Sequence, residues 1–380
     1  MKKFEVSTNS QIIKWCIETS GWDIPQLSKK LKVSEEIIKK WITNEKHPTL
    51  QQLKLLARHT KRSLSIFFLP SPPKEKPLPK DYRTLPGKIG VFSPETFLAI
   101  REARRLQNIA RTLLEDLGLP IKSSAEPINL DKDPREIAQE YRKKFQLNEV
   151  QRPWKNAYDA FNFLRREIEK LNIFVFQISM PIEDARGFTL LDEEPFVITV
   201  NSKENIEPRL FTLMHEFGHI LLRESGIDTP EKSLILPEKM KFNRIETWCN
   251  EFASEVLFPQ SVAKRVLEEN KSRILDEETL KKLTKTYTIS RTMLLYSALK
   301  LGYLSKKKYE EMVKRIKIDE QKGFVLPERR CITEKGEKFV SLVETNLENK
   351  NITFDQALEY LGIKARHYEK ILNLIKWSQK

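Results

Sequence analysis

Two histidines four residues apart, with a glutamate between them, are the residues of this sequence best placed to do chemistry. They are His215, Glu216 and His219, in the run MHEFGH at residues 214–219. Residues four apart lie on one face of a helix, so both imidazoles can bind the same divalent ion. Glu216 then lies beside that ion as a general base for water, and this HExxH spacing predicts a catalytic metal centre.

The residues around the histidines predict a buried helix. A helix that is apolar nearly all round is enclosed by other elements, and the apolar positions here are Leu210, Phe211, Leu213, Met214, Phe217, Ile220, Leu221 and Leu222. Gly218 costs about 1 kcal/mol in helix propensity relative to alanine, so we expect another backbone to approach closely there. The alternative is a structural pair of core histidines that binds no metal.

A catalytic zinc ion takes three protein ligands, so the third must come from elsewhere in the chain. A second apolar helix follows, in the run RIETWCNEFASEVLFP. Glu246 is the preferred third ligand because it lies on this otherwise apolar helix. Asn250, one turn later, is placed to orient a ligand. Glu251 and Glu255 are rival ligands that we expect to face solvent.

Residues 10–68 contain a separate series of short helical patterns. Asp23 and Ser34 have the character of helix caps, and Lys32 with Val33 forms a tight turn between two short helices. This pattern matches a helix-turn-helix, which lays its second helix in the DNA major groove. The candidate DNA contacts are Ser34, Glu35, Lys39 and Lys40. The alternative is a helical bundle that serves protein contact or dimerisation.

Length and charge favour several modules and a polyanionic partner. The chain has 380 residues, more than one hydrophobic core usually holds, and a net charge of +14. Residues 1–90 contain 18 Lys and Arg against eight Asp and Glu, so most of the excess lies at the N-terminal end. This excess supports DNA as the partner of that region. One such module covers a single half-site, so specific binding favours a homodimer.

Composition also indicates the cellular compartment of the protein. No apolar run approaches the roughly 18 residues of a membrane helix, and polar residues stand where a signal peptide has its apolar segment. We therefore expect no membrane span and a cytoplasmic location. The three cysteines, Cys16, Cys249 and Cys331, are far apart and form no CxxC pair, which fits a reducing compartment. Cys249 lies near the predicted metal ligands, but its small size favours a core position.

Two parts of the chain resemble known families. The run DIPQLSKKLKVSEEIIKKWITNEKHPTLQQLKLLA resembles the XRE/Cro-type helix-turn-helix domain, although ITNE stands where that family often has Glu-x-Gly. The runs RLFTLMHEFGHILL and ETWCNEFASEVLFP resemble the ImmA/IrrE family of zinc metallopeptidases, and RGFTLLDEEPFVITVN resembles the strands that precede its active helix. The order of modules along the chain is also known in that family.

The ImmA/IrrE resemblance implies one Zn²⁺ per chain, bound by His215, His219 and Glu246, with Glu216 as the general base for peptide hydrolysis. It also implies that the protein substrate is a partner transcriptional repressor of the helix-turn-helix kind, in stress response or mobile-element control. Two alternatives remain: a regulator without protease activity whose zincin-like domain senses a ligand or binds a partner, and an antitoxin. The intact Glu216 favours the peptidase, because a structural zinc site needs no base.

We predict an α+β, mainly helical chain of several domains. The predicted regions are an XRE-type helix-turn-helix DNA-binding domain (1–69), a Pro-rich linker (70–90), a zincin-like ImmA/IrrE metallopeptidase domain with a small sheet (91–322) and a C-terminal helical domain (323–380). The task of the last region cannot be inferred from its sequence.

The sheet of the metallopeptidase domain is predicted from three β-rich runs, at 173–178, 187–191 and 195–200. We expect the last run to pair with an extended substrate. Residues 276–303 predict two more helices with a short turn, which we interpret as support for the domain rather than as a DNA contact. The candidate donors to an oxyanion are Tyr287, Tyr296 and His367, which have no positional support.

Overall fold

The structure is a computed structural model that describes residues 5–73, 92–147, 154–224, 227–228, 244–316 and 326–378. Most of the predicted linker at 70–90 lies outside these residues. The chain divides into two compact units, residues 1–102 and 103–380. Mostly helical, with one small sheet, the chain confirms the predicted α+β class. None of the described helices is long and apolar enough to cross a membrane.

Four α-helices and a short 3-10 helix make up most of the first unit. They are α1 (Ser10–Glu18), α2 (Ile24–Leu31), α3 (Glu35–Ile42), α4 (Leu50–Thr60) and the 3-10 helix Leu64–Phe68. The side chains of Asp23, Ser34 and Thr49 cap α2, α3 and α4 by accepting backbone N–H groups. The helices enclose a core whose fully buried members include Ile12, Leu27, Ile38, Trp41, Leu53 and Phe67.

Three residues join α2 to α3. Lys32 adopts the left-handed conformation (φ 55°, ψ 45°), and the next residue, Val33, donates its N–H to the Ser28 carbonyl at 3.2 Å. Ser34 then begins α3. The four predicted DNA contacts lie at the start and along the outer side of α3, where Ser34, Glu35 and Lys39 are exposed. Lys40 is half-buried and pairs with Glu36 on the same helix at 2.6 Å.

The second unit contains the sheet and the remaining helices, and α5 (Pro94–Asp116) extends into it. Its central elements are α6 (Pro134–Lys144), α7 (Ala157–Lys170), β1 (Phe174–Ile178), β2 (Gly187–Leu190), β3 (Val197–Asn201), α8 (Ile206–Leu222) and β4 (Ile227–Asp228). Five helices follow: α9 (Arg244–Leu257), α10 (Gln260–Glu269), α11 (Glu277–Tyr287), α12 (Arg291–Lys300) and α13 (Lys306–Arg315). The last are α14 (Pro327–Lys335), α15 (Glu337–Glu348), α16 (Phe354–Leu361), the 3-10 helix Ala365–His367 and α17 (Tyr368–Ser378).

The four strands follow the order β1-β3-β2-β4. β3 is parallel to β1 and antiparallel to β2, and β4 pairs with only the first two residues of β2, Gly187 and Phe188. The expectation that β3 pairs with an extended substrate is therefore wrong, because β1 and β2 occupy both of its edges.

The central helix α8 packs against α7, α9, β2 and β3, which makes it the middle layer of the unit. The helices α14 and α15 cover β1. Phe339 contacts the rings of Phe174 and Phe176 edge-on, and the Gln177 amide donates to the Thr333 carbonyl at 2.8 Å. The C-terminal helices are thus part of the packing that holds the sheet and, through the sheet, α8.

Candidate metal centre

Helix α8 presents His215, Glu216 and His219 in a fully enclosed position, with each residue 0% exposed. The helix ends in a left-handed residue, Arg223 (φ 55°), whose N–H returns to the last turn. Buried apolar side chains from the sheet and from α7 and α9 surround it. Desolvated polar groups at such a position require partners, so the histidines and the glutamate are held for a purpose other than packing.

Glu246 of α9 completes a cluster of three metal-ligating side chains. The two histidine Nε2 atoms are 3.1 Å apart, His215 Nε2 lies 3.4 Å from Glu246 Oε2, and His219 Nε2 lies 3.5 Å from Glu246 Oε1. Ligand atoms held at about 2.0–2.1 Å from a tetrahedral zinc ion lie roughly 3.3 Å from one another. Two imidazoles and one carboxylate are also a known catalytic zinc set, so these residues fit the ion in both chemistry and spacing.

Each histidine is oriented through its other ring nitrogen. His215 Nδ1 is 3.0 Å from the Asn250 side-chain oxygen, and His219 Nδ1 is 3.0 Å from the Glu224 carbonyl. Both acceptors lack a proton to give, so Nδ1–H donates in each case. This tautomer leaves both Nε2 lone pairs directed at the cluster, as in other histidine metal sites.

Glu216 lies where α8 packs against strand β2 of the sheet. A Cβ atom built on Gly187 of β2 would lie 3.2 Å from Glu216 Cγ, 2.6 Å from Thr212 Cγ2 and 2.9 Å from the Thr199 carbonyl oxygen. Only glycine fits between these groups, so the backbone of β2 passes directly beside the Glu216 side chain. The Glu216 side chain, on the same helix as the two histidines, therefore packs against β2 at a point where β4 also pairs with that strand.

Gly218 brings the two ligand helices together. A Cβ atom at this position would lie 3.1 Å from Cys249 Sγ and 3.3 Å from Cys249 Cα, which confirms the expected close approach of another backbone. Cys249 is 0% exposed and, within the described residues, is not among the clustered ligand side chains. Its role is to pack α9 against α8 at the level of the metal ligands.

The two rival carboxylates lie on other sides of α9. Glu251 is half-buried and pairs with Lys300 at 3.6 Å. Glu255 is only 7% exposed, so the expectation that it faces solvent is wrong. Its carboxylate accepts the N–H of Gln260 at 2.9 Å and thereby satisfies a backbone donor at the start of α10.

The three candidate oxyanion donors have other partners. Tyr287 packs its ring against Phe258 at 5.3 Å between centroids. Tyr296 lines a cleft of about 170 Å³ with Glu251 and Lys300, and burial raises the pKa of its hydroxyl. His367 pairs with Glu328 at 3.2 Å. None of these contacts joins one of the three to the metal cluster.

Sequence reasoning did not identify the residues that position α8 against the sheet. Arg209, 2% exposed, donates to the carbonyls of Ser202 and Glu204 and to the side chain of Gln177, which fixes the start of α8 to the sheet. Burial lowers the pKa of this guanidinium. The sequence signal for Arg209 was a lone arginine on an otherwise apolar helix. The signal for Gly187 was a glycine at the first position of a β-rich run.

Residues 168–298 match the Peptidase_M78 family model, described as the IrrE N-terminal-like domain. The matched segment runs from the end of α7 through β1 and on into α12, and therefore includes all four residues of the site. The match supports the ImmA/IrrE family and indicates a metallopeptidase-type function for this part of the chain. No curated protein and no solved structure matches the chain.

Proposed function

We propose that the chain is a zinc-dependent endopeptidase in which His215, His219 and Glu246 bind one Zn²⁺ and Glu216 is the general base. The observation that carries this proposal is the buried His-His-Glu cluster with spacings near 3.3 Å, beside a carboxylate on the same helix. A structural pair of core histidines does not explain the buried Glu246 carboxylate, whose oxygens lie 3.4 and 3.5 Å from the two Nε2 atoms.

The residues of the chain have separate tasks in this mechanism. When bound, zinc supplies a lowered pKa for water and polarises a substrate carbonyl. Glu216 accepts the proton of the attacking water on its carboxylate and later gives it to the leaving amine. Asn250 and the Glu224 carbonyl keep the imidazoles in the tautomer that binds metal. Gly187 leaves room for the Glu216 side chain to move that proton beside β2.

The substrate class we propose is a helix-turn-helix transcriptional repressor, which rests on the ImmA/IrrE resemblance. The competing functions are a regulator without protease activity and an antitoxin, and both predict a cellular effect that is independent of Glu216.

Glu216→Gln tests the general base. The amide keeps the size of the side chain but cannot accept the proton, so we expect cleavage to fall at least about 100-fold while zinc content stays at one per chain. Substrates are a peptide library from a proteome digest and any intact helix-turn-helix repressor found encoded beside this chain, both read by mass spectrometry. Glu251→Gln, on another side of α9, is the matched control. Full cleavage by Glu216→Gln would refute the assignment.

We also propose that α2 and α3 form a DNA-binding helix-turn-helix of the XRE type, so that the chain acts on DNA in the cytoplasm. The observations in favour are the three-residue turn at Lys32 and the exposed outer side of α3. In the full-length chain, Lys39→Ala with Lys40→Ala is expected to weaken binding to duplex DNA and to reduce its salt dependence. A homodimer supplies the second half-site.

A further inference from the structure

Residues 353–373 repeat the local structure of residues 23–43. The first helix of each pair has eight residues: α2 is capped by Asp23, and α16 is capped by Thr353 at the equivalent position. In both cases the cap side chain accepts the N–H three residues later, from Gln26 and from Gln356. The two helix pairs therefore begin in the same way.

The turns that follow are also the same. Gly362 adopts φ 68° and ψ 35°, close to the 55° and 45° of Lys32. The next residue, Ile363, donates its N–H to the Leu358 carbonyl at 3.1 Å, and the equivalent bond from Val33 is 3.2 Å. One extended residue then leads into the second helix of each pair, which here begins as the 3-10 turn before α17.

The inner side of the helix pair at 353–373 is buried in the same way as the inner side of α2 and α3. Tyr368 and Ile371 are buried where Ile38 and Trp41 are buried in the first unit. The outer side is exposed, and its members are Lys364, Ala365, Arg366, Glu369, Lys370 and Asn373. The exposed face lies on the first turns of the second helix, which is the part of a helix-turn-helix that meets base edges.

A third copy of the turn shows that the turn alone does not make a binding site. Thr288, between α11 and α12, has φ 54° and ψ 43°, and Ile289 donates to the Thr284 carbonyl at 3.1 Å. However, Met293, Leu294 and Leu295 of α12 are buried, and no residue from 290 to 299 is exposed. This copy is part of the core, whereas the copy at 353–373 leaves its outer face open.

We propose that residues 353–373 form a second duplex-DNA contact, in addition to the one proposed for the first unit. Three basic side chains (Lys364, Arg366 and Lys370) and one acidic side chain (Glu369) lie on the exposed face. The exposed face of the second helix therefore has a positive charge that is complementary to phosphate, and the exposed acidic residues Asp355 and Glu359 lie on α16, the first helix of the pair. Arginine and asparagine are also the side chains that pair with guanine and adenine edges in the major groove.

The chemistry favours DNA over a protein partner. Ala365 is the only apolar residue among the exposed positions from 364 to 370, whereas a protein-docking face presents aromatic or aliphatic anchors at its centre. The exposed Phe354 lies on α16, where its ring packs edge-on against Tyr368 at 5.2 Å between centroids. One chain would then have two DNA-contacting elements, and the second would bind at the raised effective concentration created by the first. The peptidase would be held on DNA by contacts at both ends of the sequence.

The test measures binding of the full-length chain to duplex DNA. Wild-type chain selects sequences from a library of 40-base-pair duplexes with a random centre, and fluorescence anisotropy gives Kd for the enriched duplex over a range of salt. Lys364→Ala with Arg366→Ala is expected to raise Kd about tenfold and to lower the salt slope by one to two. Lys281→Ala with Lys282→Ala, which removes two exposed lysines from α11, is expected to leave both values unchanged.

A second variant separates lost contact from lost folding. Ala365→Glu adds a negative charge at an exposed position near the start of a helix, where an acidic side chain is compatible with folding. We expect an unchanged Tm and a loss of duplex binding of at least tenfold. Retention of wild-type Kd by Ala365→Glu would overturn the proposal, and so would a double alanine variant with unchanged Kd and salt slope.

The outcome is separable from that of the first DNA contact. If Lys39→Ala with Lys40→Ala has no effect while Lys364→Ala with Arg366→Ala weakens binding, the contact at 353–373 stands and the contact of α3 fails. If only the α3 variant weakens binding, the C-terminal proposal fails. If no sequence is enriched, the same comparison is made on the unselected library, and a salt slope that is equal in all variants refutes the C-terminal contact.

Discussion

Asn250 is the residue through which metal affinity can be changed without touching a ligand. Its side-chain oxygen accepts the His215 Nδ1 proton at 3.0 Å, and the residue is 8% exposed. Asn250→Ala removes the acceptor and leaves a buried N–H donor. His215 then loses the hydrogen bond that fixes both its tautomer and its ring orientation, while Glu246, one turn earlier on α9, keeps its place.

The expected loss is a 10- to 100-fold weaker Zn²⁺ affinity, the usual effect of removing such an outer partner of a histidine ligand. This corresponds to about 1.4–2.7 kcal/mol, since each tenfold change is about 1.4 kcal/mol. Asn250→Asp restores an acceptor at the same distance and adds a negative charge, so its affinity is expected to equal or exceed that of the wild type. The pair of variants separates the hydrogen bond from the mere presence of a side chain.

The assay is competition for Zn²⁺ against a chromophoric chelator at fixed pH, with no need for a substrate. Glu251→Ala is the matched control, because Glu251 is on the same helix but pairs with Lys300. Two results would refute the reasoning: Asn250→Ala that binds zinc within twofold of the wild type, or Asn250→Asp that binds as weakly as the alanine variant.

Two further predictions concern stability and are read by urea unfolding. Gly187→Ala places a Cβ 2.6 Å from Thr212 Cγ2 and is expected to lower the free energy of unfolding by about 2 kcal/mol. Adding Thr212→Ser to the same chain removes that methyl group and is expected to restore part of the loss. An unchanged urea midpoint in Gly187→Ala would contradict the packing argument. Burial lowers the pKa of Lys338 to about 8 from 10.5, so its charge opposes folding below pH 8. The free energy of unfolding of the wild type, measured relative to that of Lys338→Met, should therefore rise by about 2 kcal/mol between pH 7 and 10. A difference between the two proteins that does not change with pH would contradict this prediction.

The metal cluster could be predicted because local spacing determines most of it. His215, Glu216 and His219 share a helix, so their relative positions follow from helical geometry. Glu246 is separated from them by other elements, but a carboxylate on an otherwise apolar helix has few reasons to be buried other than a ligand role. For these residues, the pattern of polar and apolar positions along the sequence was enough to locate the metal ligands.

Sheet order could not be predicted in the same way. The three strand segments were identified close to their observed bounds, yet the position of β3 between β1 and β2 depends on pairing between distant parts of the chain. The error about substrate pairing follows directly from this. Glu255 was misjudged for a similar reason, since its burial depends on where α10 begins and which N–H it leaves to be satisfied.

The repeated turn shows why comparison of sequences alone misses an element that the backbone shows clearly. Lys32, Thr288 and Gly362 occupy the same left-handed position, although only glycine enters it without a steric cost of about 1 kcal/mol or more. The surrounding packing must therefore impose the conformation on the lysine and the threonine, and the identity of the turn residue is free to vary. What differs among the three copies is the outer face of the second helix, which is buried or half-buried in α12 but largely exposed in α3 and at 364–373. Function in such an element is determined by exposure and charge at these positions, so the basic exposed face at 364–373 is a stronger argument for a DNA contact than the turn itself.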